Sequence, residues 1–437
     1  MSHEVSVRRW IAFTVVCVLA VGASACGSSG PEDSDSAAGG NVTVWALQDP
    51  TQQKFERPAL ERFGAESDAT AKLQVFSNTV YSNKLRVAMG SPNAPDVFFN
   101  WGGGSIATYV KAGQVEDLSD YFDKQPQVRD AFLPSVIKAG EIDGKPYGVP
   151  LRGMQPLLLF YNKKVFRDAG AQPPKTWDDV RALIPRLKRE GVTPFVLGMQ
   201  DAWTGLMWPE YFLERIGGHE PFQRLLKGDP GAWEDPSMTK ALEMTRELID
   251  EGAFGSKFNS VSYTNRSATA LLAQGKGAMM LMGSWEYSNQ LTDNRKFAEK
   301  DLGWLAFPSI PGGKGDPAAV VGNPTNYFSV HAKSDVKEAA TEFLGQMAKP
   351  ANVKDLIAAG DVPAVKGIED ELAAGPNPEF STQVYKMVQD APTFTLSWDQ
   401  AIDPKEAEAL LTNLRRFYAK QIDVRGFQRA MSRAAQT

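Results

Sequence analysis

In the stretch "NVTVWAL", residues 41–47, Val42 and Val44 alternate about the β-branched Thr43, which reads as an opening strand. The next segment, "QQKFERPALERFGAES" (52–67), carries Phe55, Leu60 and Phe63 near helical spacing, and "AKLQVFSN" (71–78) returns to strand character. "SNKLRVAMGSPNAPDVFFNW" (82–101) then gives a helix, a Pro-bounded turn and a third strand, Asp96–Asn100. Strand, helix, strand, helix, strand predicts a doubly wound α/β lobe.

The pattern resumes in "GKPYGVPLRGMQPLLLFYNKKVFRDAG" (144–170), where two apolar segments flank a turn. In "PPKTWDDVRALIPRLKREG" (173–191), Thr176 is expected to cap a helix ahead of Asp178 and Asp179. Helices dominate to about residue 274, apart from a strand at "TPFVLG" (193–198). The run Ala278–Met282 in "GKGAMMLMGSWEYS" (275–288) is closed by Gly283 and Ser284 and reads as a short buried strand with Trp285 at its end. A further strand pair is expected at "GWLAFPSI" (303–310) and "NYFSVHA" (326–332), with mostly helix after Lys337.

A chain of 437 residues exceeds what one hydrophobic core normally organises, so two lobes are expected. The formal charge of −5, with both signs well mixed, offers no basic surface for a polyanion such as nucleic acid. Upstream of the first strand, Arg8 and Arg9 precede the apolar run Trp10–Val21 and the small residues "GASAC". That run is too short to cross a hydrocarbon core, which needs about 20 helical residues, so residues 1–25 read as a signal peptide. Ala23, Ser24, Ala25 and Cys26 resemble a bacterial lipoprotein cleavage box. Cleavage there would leave Cys26 as the single thiol, open to lipidation, and take the charge from −5 to −6, since residues 1–25 carry Glu4 against Arg8 and Arg9. "GSSGPEDSDSAAGG" (27–40) has no large apolar side chain and reads, with Cys26, as a flexible tether to a membrane.

Four stretches carry a family resemblance: "DGKPYGVP" (143–150), "FYNKKVFRDAG" (160–170), "PPKTWDDV" (173–180) and "GKGAMMLMGSW" (275–285). In this order and spacing they resemble extracellular solute-binding proteins of ABC sugar importers, the group that includes maltose-binding protein. The resemblance implies a periplasmic-binding-protein-like fold of two doubly wound α/β lobes joined by a hinge with multiple chain crossings. It implies crossings at Gly148–Gly153, at Leu305–Pro308 and near Lys349–Asn352, hence one lobe of 41–149 plus 308–349 and a second of 150–307 plus 350–437. It also implies delivery of a carbohydrate to an ABC permease driven by a cytoplasmic ATPase; with the cleavage box at Cys26, the expectation is a monomer, lipid-anchored on the extracytoplasmic face of the cell membrane.

A pyranose presents an apolar face of C–H groups and a rim of hydroxyls, so its site needs aromatic rings and planar polar side chains. Of the tryptophans, Trp285 occupies the aromatic slot of the family's strand-end element, and Trp398 in "TFTLSWDQAIDP" (393–404), with Asp399 beside it, matches a second stacking position. Asn100 and Trp101 end a strand, where open α/β sheets bind ligands, and "WGGG" lets backbone approach closely. Trp203 and Trp208 are five apart and face different directions on one helix; Trp203, beside Gln200 and Asp201, is the candidate. Trp45 and Trp177 read as structural. Polar candidates are Gln48 and Asp49 after the first strand, Asn78 after the second, Arg152 and Gln155 beside the first crossing, and Asn323 in "VGNPTNYF" (321–328). Gln155 stands where relatives carry a carboxylate ligand to sugar, which argues against a maltose-like preference. "FFNWGGGS" and "RGMQP" lean toward receptors for xylobiose-type sugars.

No cofactor is implied: no Cys/His cluster, HExxH or calcium loop is present, "PGGKGD" (311–316) lacks phosphate-loop spacing, and no Gly-x-Ser-x-Gly elbow occurs. Two competing readings remain open, a secreted glycosidase working through two carboxylates and an importer receptor for a non-sugar solute.

Overall fold

A computed structural model of the chain describes residues 39–436. The signal peptide, Cys26 and nearly all of the tether lie outside the described residues. Strands β1 (Asn41–Leu47), β2 (Thr70–Phe76) and β3 (Val97–Asn100) fall where the pattern places them. Along β1, Val42, Val44 and Ala46 are fully buried, while Thr43, Trp45 and Leu47 on the other face are only partly covered. β1 runs parallel to both β2 and β3, and the connections are the helices Gln53–Glu66 and Asn78–Ala88. The first of these buries Phe55, Ala59, Leu60 and Phe63, a stripe set by the 3.6-residue period.

A small hairpin of β4 (Glu141–Ile142) and β5 (Lys145–Pro146) precedes β6 (Val149–Pro150) and the long β7 (Gln155–Asn162). β8 (Thr193–Phe195), β9 (Gly277–Gly283), β10 (Leu302–Leu305), β11 (Val320–Asn323), β12 (Tyr327–Val330) and β13 (Phe394–Leu396) complete the strands among the described residues. One sheet has the order β2-β1-β3-β12-β6 and the other β13-β11-β7-β9-β8, with β10 also on β7. Each sheet forms the centre of one lobe. β9 is buried along its whole length because β7 and β8 flank it, which accounts for its unbroken apolar run. Thr176 caps the helix Trp177–Arg189 as expected, its hydroxyl accepting from the Asp179 amide at 3.2 Å while the Asp179 carboxylate accepts from the Thr176 amide at 2.9 Å.

The crossings differ from those implied by the resemblance. β10 pairs with Leu159–Asn162 of β7, and β11 pairs with Gln155–Pro156 on the same edge. The chain therefore does not leave the second lobe at Leu305–Pro308, and residues 308–323 belong there. It leaves at 324–326, since Tyr327 already pairs with Asn100 and Pro150 in the first sheet. The expected pair of 303–310 with 326–332 is likewise divided between the two sheets. The return is also later than Lys349–Asn352: the helix Pro350–Ala359 stays on the first lobe, where Arg62 on the Gln53–Glu66 helix bridges to Asp355 at 2.6 Å. The third passage follows at 361–366, whose Pro363 and Val365 bridge to Gly153 and Phe132.

Candidate functional site

The three passages lie side by side. The Leu151 amide donates to Asn326 O at 2.8 Å, the Thr325 hydroxyl to Arg152 O at 2.7 Å and the Met154 amide to Val362 O at 2.8 Å. Arg152, expected to meet ligand, is instead buried here, with Nε and Nη2 each donating to the Asp361 carboxylate at 3.0 Å. Its Nη1 reaches Gln52 Oε1 at 3.4 Å, and Gln52 donates to Glu56 at 2.6 Å. Burial pushes the Glu56 carboxyl up to about 8. Gln155 and Asn323 pair through their backbones where β7 and β11 leave the hinge, and both side chains are buried. Asn323 Oδ1 has no hydrogen-bond partner among the described residues.

On the second lobe, β9 delivers Trp285 as the first residue of the helix Trp285–Asp293. Ser284 between them is pinned to the first passage, its amide donating to Pro156 O at 2.9 Å and its hydroxyl to Met154 O at 2.8 Å. The Trp285 ring folds back over Gly283, where a Cβ would stand 1.8 Å from the indole Cζ3. Gly283 is thus required by the ring itself rather than only by the exit of the chain. The partly exposed Trp285 and Trp203 rings lie 6.3 Å apart, and Tyr263 meets Trp203 edge-on at 5.4 Å. Asp201 fixes the Tyr263 loop by accepting from the Ser262 and Thr264 hydroxyls and the Tyr263 and Thr264 amides, all within 2.7–3.0 Å. Glu286 turns away from the junction and is fully buried, accepting from Tyr263, Thr269 and Gln290; burial outweighs these donors and pushes its carboxyl up to about 7. Tyr287 stacks on Phe380 with ring centroids 4.0 Å apart.

The first lobe reaches this wall through Asp49 and the start of the following helix. Asp49 accepts from the Thr51 amide at 2.9 Å and from Arg266 Nη2 on the opposite lobe at 2.9 Å. Thr51 donates to Asn289 at 3.4 Å, and Lys54 donates to Thr292 at 2.9 Å. Arg266 holds a left-handed φ of 68°, a strained setting for a residue with a Cβ, and its Nη1 is buried with no partner among the described residues. Trp101 rests edge-on against Phe99 at 4.9 Å and Tyr81 at 6.0 Å. Trp45, expected in the core, is partly exposed and lies 4.7 Å from Phe76. Gln48 is exposed, and Asn78 is partly exposed at the start of its helix.

Three further expectations change. The Asn100 amide is spent inside the lobe, donating to Ser329 at 2.8 Å and accepting from the Gly102 amide at 2.9 Å, so it shapes the turn. The glycines after Trp101 admit protein rather than leave open space: a Cβ on Gly102 would meet the Tyr327 ring at 2.7 Å and one on Gly104 the Ile402 carbonyl of the other lobe at 2.2 Å. Trp398 is 1% exposed, between Phe222 and Trp233 at 6.5 and 5.9 Å, and is a packing residue. Its partly buried neighbour Asp399 lies near Glu210; burial pushes their carboxyls up to about 7 and about 8 respectively. The structure therefore gathers Asp49, Trp203 and Trp285, whereas Trp398 is enclosed within the second lobe, its Nε1 without a hydrogen-bond partner among the described residues. Tyr263, Arg266, Asn289 and Asp361 escaped the sequence reading, because nothing local distinguishes them from ordinary loop and helix residues. Two surface cavities of about 330 and 280 Å³ on the second lobe contain none of the candidate side chains gathered at the junction.

Residues 47–354 match the family of bacterial extracellular solute-binding proteins. The chain belongs to that family. An ABC transporter extracellular-binding protein of Pyrococcus horikoshii is 30% identical over 60% of this solute-binding protein, and the match spans 56% of the Pyrococcus chain. The diacetylchitobiose binding protein DasA of Streptomyces coelicolor is 26% identical over 77% of each chain. A structure from work on xylan utilisation by Caldanaerobius polysaccharolyticus superposes with a TM-score of 0.81 at 26% identity, covering 90% of this chain and 99% of the other. These similarities agree with the two α/β lobes of the structure.

Proposed function

We propose that the protein is the extracytoplasmic receptor of an ABC sugar importer, capturing an oligosaccharide between its lobes and delivering it to the membrane permease. The observation that carries this reading is the partly exposed Trp203–Trp285 pair, set at the junction beside the polar groups of Asp49, Arg266 and Asn289. Flat apolar rings beside directional donors and acceptors match the two chemistries of a pyranose. More than one ring favours successive sugar units over a monosaccharide, and the diacetylchitobiose receptor and the xylan-related structure support the same class of ligand. The lean within that class is to xylo-oligosaccharides. Hinge motion about the three passages would expose and enclose the sugar, and the permease would read the closed form. Lipidation at Cys26 would hold a monomer on the membrane by the 27–40 tether.

A thermal-shift panel of xylo-, cello-, malto- and chito-oligosaccharides tests the proposal. Ligand at 100 times its Kd adds about 2.7 kcal/mol of stability. Stabilisation by one of these series is expected; tight binding of peptides or polyol phosphates with no response to neutral sugars would replace the reading with a non-sugar receptor. Glycosidic cleavage at catalytic rates in the same mixtures would replace it with a glycosidase.

A further inference from the structure

We propose that Tyr263 is a positioning residue that ties the tryptophan pair to closure of the lobes; the inference rests on the carbohydrate reading for its ligand but not for its geometry. The Tyr263 side chain is 5% exposed. Its ring edge supports Trp203, and its amide is held by Asp201, so its position is set from two sides. Its hydroxyl donates to Glu286 Oε2 at 2.8 Å and accepts from Asn289 Nδ2 at 2.8 Å. That amide orientation turns Asn289 Oδ1 toward the first lobe, where the Thr51 hydroxyl donates to it at 3.4 Å. In the observed arrangement Thr51 donates to Asn289, Asn289 to Tyr263, and Tyr263 to Glu286, the residue that follows Trp285, while the Thr51 hydroxyl also lies 3.2 Å from that of Thr292.

The Thr51–Asn289 bond is the longest in the series and the one that crosses the junction. Opening the lobes breaks it, and Asn289 is then free to turn its amide and release Tyr263. Closing restores the order and presses the Tyr263 ring against Trp203. Aromatic stacking on a sugar and docking of the first lobe thereby favour each other, which is a coupling energy between two sites carried by named bonds.

Tyr263→Phe keeps the ring and removes the hydroxyl; Thr51→Val removes the cross-lobe donor to Asn289 together with its 3.2 Å contact to Thr292. Each variant is titrated calorimetrically with whichever of the xylo-, cello-, malto- or chito-oligosaccharides stabilises the wild type, and scattering of the ligand-free proteins is recorded. Tyr263→Phe is expected to raise Kd about tenfold and Thr51→Val about threefold. The double variant should lose less affinity than the sum of the two single losses, because the link through Asn289 is already broken in Tyr263→Phe. Tyr263→Phe should also enlarge the radius of gyration without ligand, a readout that loss of local packing would not move. Affinity within twofold of wild type and an unchanged radius would overturn the inference, as would fully additive losses. Wild-type protein that binds none of the sugars while Tyr263→Phe still expands would remove the carbohydrate reading and leave the relay standing.

Discussion

Arg152 and Asp361 face each other across two neighbouring passages between the lobes, joined by two hydrogen bonds of 3.0 Å, with side chains only 6% and 5% exposed. A bidentate pair of this kind is rigid in direction as well as favourable in energy. It ties the first passage between the lobes to the third. Ser288 adds a third partner, donating to Asp361 at 3.2 Å from the helix that begins at Trp285.

Removing one partner strands the other charge in a dry site. Asp361→Ala is therefore expected to destabilise the protein by about 3–5 kcal/mol. Replacing both, as Arg152→Met with Asp361→Leu, should cost far less while loosening the hinge. Urea unfolding of the two proteins checks the order; equal losses would mean that the pair does not act as a unit.

Gly283→Ala places a methyl group 1.8 Å from the Trp285 ring. Overpacking of this kind costs about 1–3 kcal/mol, and the ring must leave its position to relieve it. Oligosaccharide binding should fall at least tenfold while the circular dichroism spectrum is retained. Trp285→Ala should likewise remove most of the ligand-induced thermal shift, and combining the two should restore the melting temperature of Trp285→Ala alone.

The Asp49–Arg266 pair is about a quarter exposed on each side and bridges the lobes at 2.9 Å. Screened pairs contribute about 0–1 kcal/mol to folding, so Asp49→Asn should barely move the melting temperature. Its effect belongs to the closed state: sugar should dissociate several-fold faster, and the difference from wild type should shrink in high salt. Stopped-flow tryptophan fluorescence measures this, and unchanged dissociation would assign the pair to a static contact.

Glu56, Glu210 and Glu286 are 0–2% exposed, and burial pushes their carboxyls up to about 8, about 8 and about 7. Glu56 and Glu210 each have an Oε2 without a partner among the described residues, as a protonated acid allows. Between the unfolded value near 4.5 and these folded values, the native state holds more protons than the unfolded chain. Their contribution to stability is complete below about pH 4.5 and is lost as pH rises through 7 to 8, by about 1.4 kcal/mol per proton per pH unit. Glu210→Gln should flatten the decline in melting temperature between pH 5 and 8; a slope identical to wild type would exclude Glu210 as a source.

Local pattern was sufficient for β1 and its helix, for the buried β9 and for the Thr176 cap, since each depends on neighbours within a few residues. The hinge was not legible because β10 and β11 are short apolar segments that would suit either sheet. Only their shared edge on β7 assigns both to the second lobe. The tryptophans divide for the same reason: Trp285 and Trp398 both begin helices after strands, yet one keeps an open face and the other is enclosed by Phe222 and Trp233.

By itself the sequence determined the α/β class, the strand and helix periods, the family likeness and Trp285 at the end of its strand. Periodicity and turn chemistry act over a few residues, so the linear order suffices for them. Tertiary structure alone decided where the chain crosses, that Arg152 is held by Asp361, and that Tyr263, Asn289 and Thr51 form a line to the other lobe. Those contacts join residues 26 to 238 positions apart, and their partners are chosen by packing of whole elements rather than by any local pattern.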